Sequence, residues 1–340
     1  MKTLVPISIL DLAAVGDGET IAESFAGSVA LAQLAEKAGY RRIWYAEHHN
    51  ITSIASSATS VLIAHIAAHT TSIRLGAGGI MLPNHSPLTI AEQFGTLATL
   101  HPGRIDLGLG RAPGSDQTTT RALRRDPAAA DRFPQDVVEL RGLLGDRSPI
   151  PGVRAIPGQG THVPLYILGS SLFGAQLAAK LGLPYAFASH FAPQALDDAI
   201  RIYRTRFEPS TQLDRPYVIV GVNVIAADTD TTARTQFEAT RRARIRHLFT
   251  RDDAHLTDTQ VDAILDSPQA AHVDQMLTYS AVGTPNTVAE YLNDFQRHTA
   301  ADELIVVHHA DTVANRLRSV ELLADAVDPR GTSDSLDAPT

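Results

Sequence analysis

Six segments carry the side chains with which this chain could do chemistry: Glu47-His48-His49, Gly78-Gly79, Gly110-Arg111, Gly169-Ser170-Ser171, Ser189-His190-Phe191 and His308-His309. Each follows directly on a short apolar run. Histidine has the ordinary pKa nearest neutrality, so one at the mouth of a cavity can give or take a proton under physiological conditions. An arginine there presents a planar fork that fits a phosphate in two contacts. Ser170 and Ser171 open a predicted helix, where free N–H groups and the helix dipole favour an anion. The glycines at 78 and 79 let a backbone approach a flat ligand closely, or simply turn the chain.

Other chemistries are disfavoured. There is no cysteine, which removes disulfides, thiolate metal sites and a cysteine nucleophile. Neighbouring histidines on a continuing strand point to opposite sides, and no cluster of carboxylates completes a coordination sphere, so no metal is expected. The segment GLGRAPG at 108–114 misses the dinucleotide spacing, and Pro113 falls where the helix of that motif should begin. A formal net charge of -8 argues against nucleic acid, and the basic run from Arg241 to Arg246 reads as a solvated helix face. The opening MKTLVPISILDL has one lysine and a proline within its apolar run, which suits a strand and not a signal peptide. No apolar stretch reaches the roughly 18 residues of a membrane span. A cytoplasmic protein with no membrane or nucleic-acid partner is expected.

Strands and helices must alternate to place those six segments together. The clearest unit is 72–114. An apolar strand thins into glycine, Ser86-Pro87 caps a helix with Ile90, Phe94 and Leu97 on one face, His101-Pro102-Gly103 stops it, and 104–110 is a second strand. Two such strands joined by one amphipathic helix make a parallel βαβ unit. The same alternation gives strands at 4–10, 42–46, 164–168, 184–189, 217–226 and 303–308. Helices fall near 20–38, 57–69, 133–144, 171–181, 194–206, 284–298 and 313–326. Thr20 and Glu23 form a capping box for the first helix, closed by Gly39. The stretch 115–131 is expected to be irregular. After strand seven the chain leaves the pattern for more than fifty residues, with helices at 233–249 and 258–265.

Eight strands alternating with helices predict a TIM (β/α)8 barrel with an insertion after strand seven, at about 227–282. With 340 residues, 44% of them hydrophobic, the chain can form this barrel as one domain over 1–326, followed by a disordered tail at 327–340. In such a barrel the chemistry sits at the C-terminal ends of the strands. All six segments lie there.

Three stretches, Ala46-Glu47-His48-His49, LGAGGIMLPNHSPLTIAEQFGTLATLHPGRIDLGLGRAPG and PLYILGSS, resemble the bacterial-luciferase-like family of flavin-dependent oxidoreductases, over roughly residues 3–326. The resemblance implies a TIM barrel holding FMN at the strand ends. His48 resembles the active-site histidine beside the flavin. Gly78-Gly79 matches a non-proline cis peptide that props the isoalloxazine ring. Arg111 resembles the arginine on the flavin phosphate, and Gly169, Ser170 and Ser171 match the phosphate turn, with Gly169 where the luciferase pattern has an acidic residue. Ser189, His190 and Phe191 sit where relatives line the flavin pocket. Gly110 takes the place of the luciferases' reactive cysteine, so light emission is not implied.

The expected activity is an FMN-dependent monooxygenase that receives reduced FMN from a separate flavin reductase and inserts one oxygen atom of O2 into a small organic substrate. A deazaflavin-dependent hydride-transfer oxidoreductase and a non-catalytic flavin-binding protein are the alternatives. Small residues on the helices after strands two and three (Ala58, Ala64, Ala67, Ala68, Ala91, Gly95, Ala98), where relatives associate, predict a homodimer.

Overall fold

A computed structural model describes residues 5–16, 18–112, 117–249 and 256–331. The chain alternates as anticipated through β1 (Ile7–Asp11), α1 (Ile21–Ala38), β2 (Arg42–Tyr45), α2 (Thr59–Ala68), β3 (Arg74–Met81), α3 (Pro87–Leu100) and β4 (Ile105–Gly110). Thr20 and Glu23 close a reciprocal capping box on α1, Gly39 ends that helix at φ 87°, and the Ser86 hydroxyl caps α3. The stretch expected to be irregular instead holds a short helix, α4 (Gln117–Ala122), and a 3-10 turn over Pro127–Arg132, which leads into α5 (Phe133–Leu144). Asp126 caps that turn through its carboxylate, a local bond that carries no periodic signature in the sequence.

Next come β5 (Leu165–Gly169), α6 (Leu172–Leu181), β6 (Tyr185–Phe187), α7 (Leu196–Arg206) and β7 (Val218–Ala226). The excursion after β7 carries α8 (Asp230–Phe249), α9 (Asp258–Leu265) and α10 (Ala270–Met276). It returns as a strand that the sequence pattern missed, β8 (Ser280–Gly283), before α11 (Pro285–Thr299), β9 (Glu303–His308) and α12 (Val313–Ala326). Four residues, Ser-Ala-Val-Gly, are too few to show alternation.

The strands close a parallel barrel in the order β1-β2-β3-β4-β5-β6-β7-β9, with β9 returning to β1. The barrel is therefore a TIM barrel of eight strands, and β8 is a ninth strand outside the ring. It pairs in parallel with the last residues of β7, Asn223 opposite Ser280 and Ala226 opposite Gly283. Beyond α12 the chain does not leave the body at once: Val327 is buried, and the Ile7 N–H donates to the Pro329 carbonyl at 2.8 Å. The remainder of the expected tail, 332–340, lies outside the described residues.

Inside the barrel, alternate residues of each strand form layers. The lowest is ionic. Arg42 donates through Nε to Glu303 at 3.0 Å and through Nη1 to Asp106 at 2.7 Å and to the Tyr166 hydroxyl at 2.8 Å. Ser8 donates to Glu303, and so does the Tyr217 hydroxyl, the latter at 2.7 Å. Arg74 pairs with Asp106 from the rim of this layer. Burial would raise the Asp106 pKa, but Arg42 and Arg74 hold it below the ordinary carboxylate range. Above this floor lies an apolar layer of Leu10, Trp44, Ile219, Ile305 and their neighbours. The mouth lies above that.

Candidate functional site

Two clusters stand at the C-terminal ends of the strands. The first gathers three of the anticipated residues. Arg111, one residue past β4, lies with its guanidinium carbon 4.2 Å from the ring centroid of Phe173, in the first turn of α6. That stacking sets the exposed arginine beside Ser170 and Ser171. Ser171 is the N-cap of α6, yet its side chain makes no capping bond, so no side chain of its own covers the first-turn N–H groups. A cation next to an uncapped helix start favours an anion by two independent effects. Gly169 ends β5, with its carbonyl taken by the Ala188 N–H at 3.0 Å.

The second cluster is built on β2, β6, β7 and β9. His49 bonds Glu47 at 2.9 Å, and Glu47 also takes His85 at 2.9 Å, the Met81 N–H at 3.0 Å and Asn84 at 3.3 Å. Burial alone would raise the Glu47 pKa, but these donors bring it down to about 2. The carboxylate thus ties the loop after β3 to the end of β2. His48 is half-buried at the edge of a cleft of about 360 Å³ with Ile21, Phe25 and Ile51. It also lies close enough to His190 to lower that residue's pKa.

His190 follows β6, with its ring pressed against Gly221 of β7. A Cβ at position 221 would collide with its Nδ1, so only glycine permits this seat. That Nδ1 is buried without a hydrogen-bond partner among the described residues. A buried lone pair costs less there than an unanswered N–H, which favours the tautomer with the proton on Nε2. Burial above all, then Arg244 and His48, push the His190 pKa down to about 3. Ser189 is fully buried, and its hydroxyl donates to the Gly221 carbonyl at 2.5 Å. Its side chain therefore fastens β6 to β7 and is not brought to the mouth. Phe191 is 39% exposed and meets the His190 ring edge-on.

The peptide Gly78-Gly79 is cis. Both glycines are also hemmed in by the barrel itself. A Cβ on Gly78 would meet Leu10 and Trp44, and one on Gly79 would come within 2.7 Å of the Gly108 carbonyl. Bare backbone is needed here for β3 to lie against β4, whatever approaches from the mouth.

Sequence reasoning passed over three residues of the second cluster. Asn223 on β7 donates to the His190 carbonyl at 2.8 Å and accepts from His309 Nε2 at 2.8 Å. His309 was noted at a strand end but given no role; burial first, then Arg244 and its histidine neighbours, hold its pKa at about 3. Arg244, on α8, belongs to the basic run that the sequence reads as a solvated face. Its helix packs on β7 and β8. The signal was present: Ala233, Phe237, Thr240 and Arg244 recur at a spacing of four, three and four, the stripe a helix turns toward its neighbour. His308 faces away from the mouth and bonds Ser319 of α12 at 2.8 Å. Among the described residues no group of histidines and carboxylates could hold a metal ion, and no helix is long and apolar enough to cross a membrane.

This barrel, with an arginine beside the start of α6 and histidines at the mouth, is matched by proteins of one family. The profile of the luciferase-like monooxygenases covers residues 5–302. A luciferase-like monooxygenase of Escherichia coli (strain K12) is 50% identical over 324 residues, spanning 94% of this chain and 96% of that protein. The structure of apo-MsnO8 superposes with a TM-score of 0.85 at 38% identity, covering 95% and 98% of the two chains. Two more distant structures share the fold. One is the oxygenating constituent of 3,6-diketocamphane monooxygenase from Pseudomonas putida in complex with FMN (TM-score 0.72, 18% identity, 97% and 99% covered). The other is the coenzyme F420-dependent tetrahydromethanopterin reductase of Methanopyrus kandleri (TM-score 0.68, 16% identity, 96% and 99% covered). The chain belongs to the luciferase-like monooxygenase family. It is an oxidoreductase.

Proposed function

We propose that this protein is an FMN-dependent monooxygenase that takes reduced FMN from a separate reductase and transfers one oxygen atom of O2 to an organic substrate in the cytoplasm. The observation that carries this reading is the stack of Arg111 on Phe173 beside the uncapped start of α6. A guanidinium and free N–H groups together suit the terminal phosphate of FMN, with Ser170 and Ser171 as further donors. Gly78 and Gly79 on β3 and His190 after β6 would then border the ring, with Ser189 securing His190 and not touching the ligand. Reduced flavin supplies the two electrons that let one atom of O2 enter the substrate while the other leaves as water.

The chain's own part is to bind, orient and handle protons. His48, half-buried at the edge of the cleft, is the residue of this group suited to hold a proton or return it. His190 stays neutral at physiological pH and offers an N–H without adding charge. We also propose that two copies associate through α2 and α3, where Val61 and Leu100 are 68% and 64% exposed.

Titration with FMN and with coenzyme F420, followed by flavin fluorescence, tests the cofactor. FMN should bind the more tightly, and Arg111→Ala should weaken it tenfold or more, because a charge-assisted contact contributes roughly 1.5–3 kcal/mol. Tighter binding of F420 would move the protein to hydride transfer. Equal FMN affinity in mutant and parent would remove Arg111 from the site. Oxygen consumption that no substrate raises above the rate of peroxide release would make the protein a flavin carrier.

A further inference from the structure

Two loops that rise from neighbouring strands build a cleft on the β1–β2 side of the mouth. The chain leaves β1 at Asp11 and enters α1 at Ile21, and it leaves β2 at Tyr45 and enters α2 at Thr59. Both loops therefore lie at the C-terminal face of the barrel. They are also joined to each other. Ala14 stands opposite Ile54 in an antiparallel bridge, the Val15 N–H donates to the Ser53 carbonyl at 2.9 Å, and the Ala55 N–H donates to the Ala13 carbonyl at 3.0 Å. Two residues other than glycine adopt the left-handed conformation here, Ala13 at φ 48° and Asn50 at φ 56°. An alanine stays in that conformation only when its surroundings fix it, and such positions recur where a ligand is gripped. The walls of the cleft are thus built in advance.

Those walls are apolar. Ile21 and Phe25 come from α1, Ile51, Ile54 and Ala55 come from the loop after β2, and His48 borders the same space of about 360 Å³. Ile21 and Phe25 are four residues apart and so share one helix face. Phe25 and Ala55 are rooted in the main core, but Ile21, Ile51 and Ile54 belong to none of the buried apolar clusters among the described residues, and Ile21 is 57% exposed. Three isoleucines thus spend their surface on the cleft and not on the core. Among the described residues no carboxylate, lysine or arginine lines it. Glu23, in the first turn of the same helix, is held by the Thr20 N–H at 2.7 Å and lines a separate groove with Val313 of α12.

We propose that this cleft receives an uncharged apolar group of the organic substrate, an alkyl chain or a phenyl ring, and that Ile21, Phe25 and Ile51 set that preference. The inference rests on the reading of the mouth as the place where flavin and substrate meet. The strands run β1-β2-β3-β4-β5 around this side of the barrel. Arg111 and the start of α6 stand on β4 and β5, the Gly78-Gly79 peptide is on β3, and His48 follows β2. A cofactor anchored by its phosphate at the first and lying over the second would bring its ring toward His48, where the cleft opens. A charged group entering there would shed its water with no ion to answer it, whereas an alkyl or phenyl group releases water from apolar surface on both sides. The volume is at the small end of ligand sites, enough for one such group.

The test uses the full chain and matched neutral and charged probes: 1-butanol to 1-decanol against the carboxylates and alkylammonium ions of the same length, and benzyl alcohol against benzoate, with dissociation constants from calorimetry. Alcohol affinity should rise about three- to fourfold per added methylene until the cleft is full. Each alcohol should bind about tenfold or more tightly than its charged partners. Ile21→Glu puts a carboxylate on the rim, in a first helical turn where negative charge suits the helix. It should weaken the alcohols about tenfold or more and turn the preference toward alkylammonium, while Ile21→Leu keeps the parent's order. FMN affinity, measured separately, should stay within about threefold of the parent in both variants. Should Ile21→Glu fail to fold, NMR of the parent decides: the ring C–H signals of His48 should shift with 1-octanol and not with octanoate. No rise with chain length, a preference for charged probes in the parent, an unchanged order in Ile21→Glu, unmoved His48 signals, or alcohols that displace FMN would each overturn the proposal. A protein that binds FMN but shows no rise with chain length loses only the apolar cleft; one that keeps the rise without binding FMN loses only the cofactor reading.

Discussion

In the proposed reaction, His48 would stand between two outcomes for the oxygen consumed: transfer to substrate, or release as hydrogen peroxide. Which one follows depends on where protons are held. His48→Ala should therefore leave FMN binding within about threefold of the parent while product formation falls by about 10², the scale of acid–base catalysis, and peroxide accounts for the oxygen consumed. Product and peroxide counted per O2 give the answer; parental coupling in the mutant would make His48 structural. Its neighbour Glu47 makes a different kind of contribution. The folded state holds its pKa near 2 against an ordinary value of 4.5, so its stabilisation is fully present above about pH 4.5 and is lost as pH falls from there toward 2. Glu47→Gln should cost on the order of 2–3 kcal/mol at pH 7, and urea midpoints should converge with the parent's as pH drops through that window. A constant difference between pH 7 and pH 3 would show that the carboxylate's charge is not what matters.

Strands and helices account for what the sequence could disclose. The repeating apolar runs and the caps at Thr20, Gly39 and Ser86 are local signals, and the elements they mark fall where expected. The strand ends likewise brought His48, Arg111, Ser170 and Ser171 to the mouth, because strand direction alone decides that. Ser189 and Arg244 were legible only in part. Whether a strand-end serine faces the mouth or the next strand depends on Gly221, thirty-two positions away, and a helix face shows its partner only once the helix is docked. The barrel floor was not legible at all. Arg42, Asp106 and Glu303 look like three unrelated charges in the sequence, yet each is fully buried and they answer one another. Arg42→Met would leave Asp106 with Arg74 alone and Glu303 with Arg41 alone, the latter at 3.6 Å, and breaking such a network costs roughly 3–5 kcal/mol. A denaturant midpoint close to the parent's would show that the floor is not needed for stability.

At the scale of the molecule, the proposed dimer would cover the exposed Val61 and Leu100. Light scattering should give twice the 36.4 kDa chain mass, and Val61→Asp should halve it. A parent that scatters as one chain at micromolar concentration would end the dimer proposal. The strand outside the ring has a consequence of its own. Ser280 stands opposite Asn223, so the excursion that leaves after Ala226 comes back beside the strand it left. A loop whose two ends are pinned side by side changes in closure entropy only as the logarithm of its length. The span between them, Arg244 included, can therefore be lengthened, shortened or rewritten without disturbing the register of the eight strands. One half of the mouth is fixed by the barrel, and the other is an interchangeable part clipped to β7.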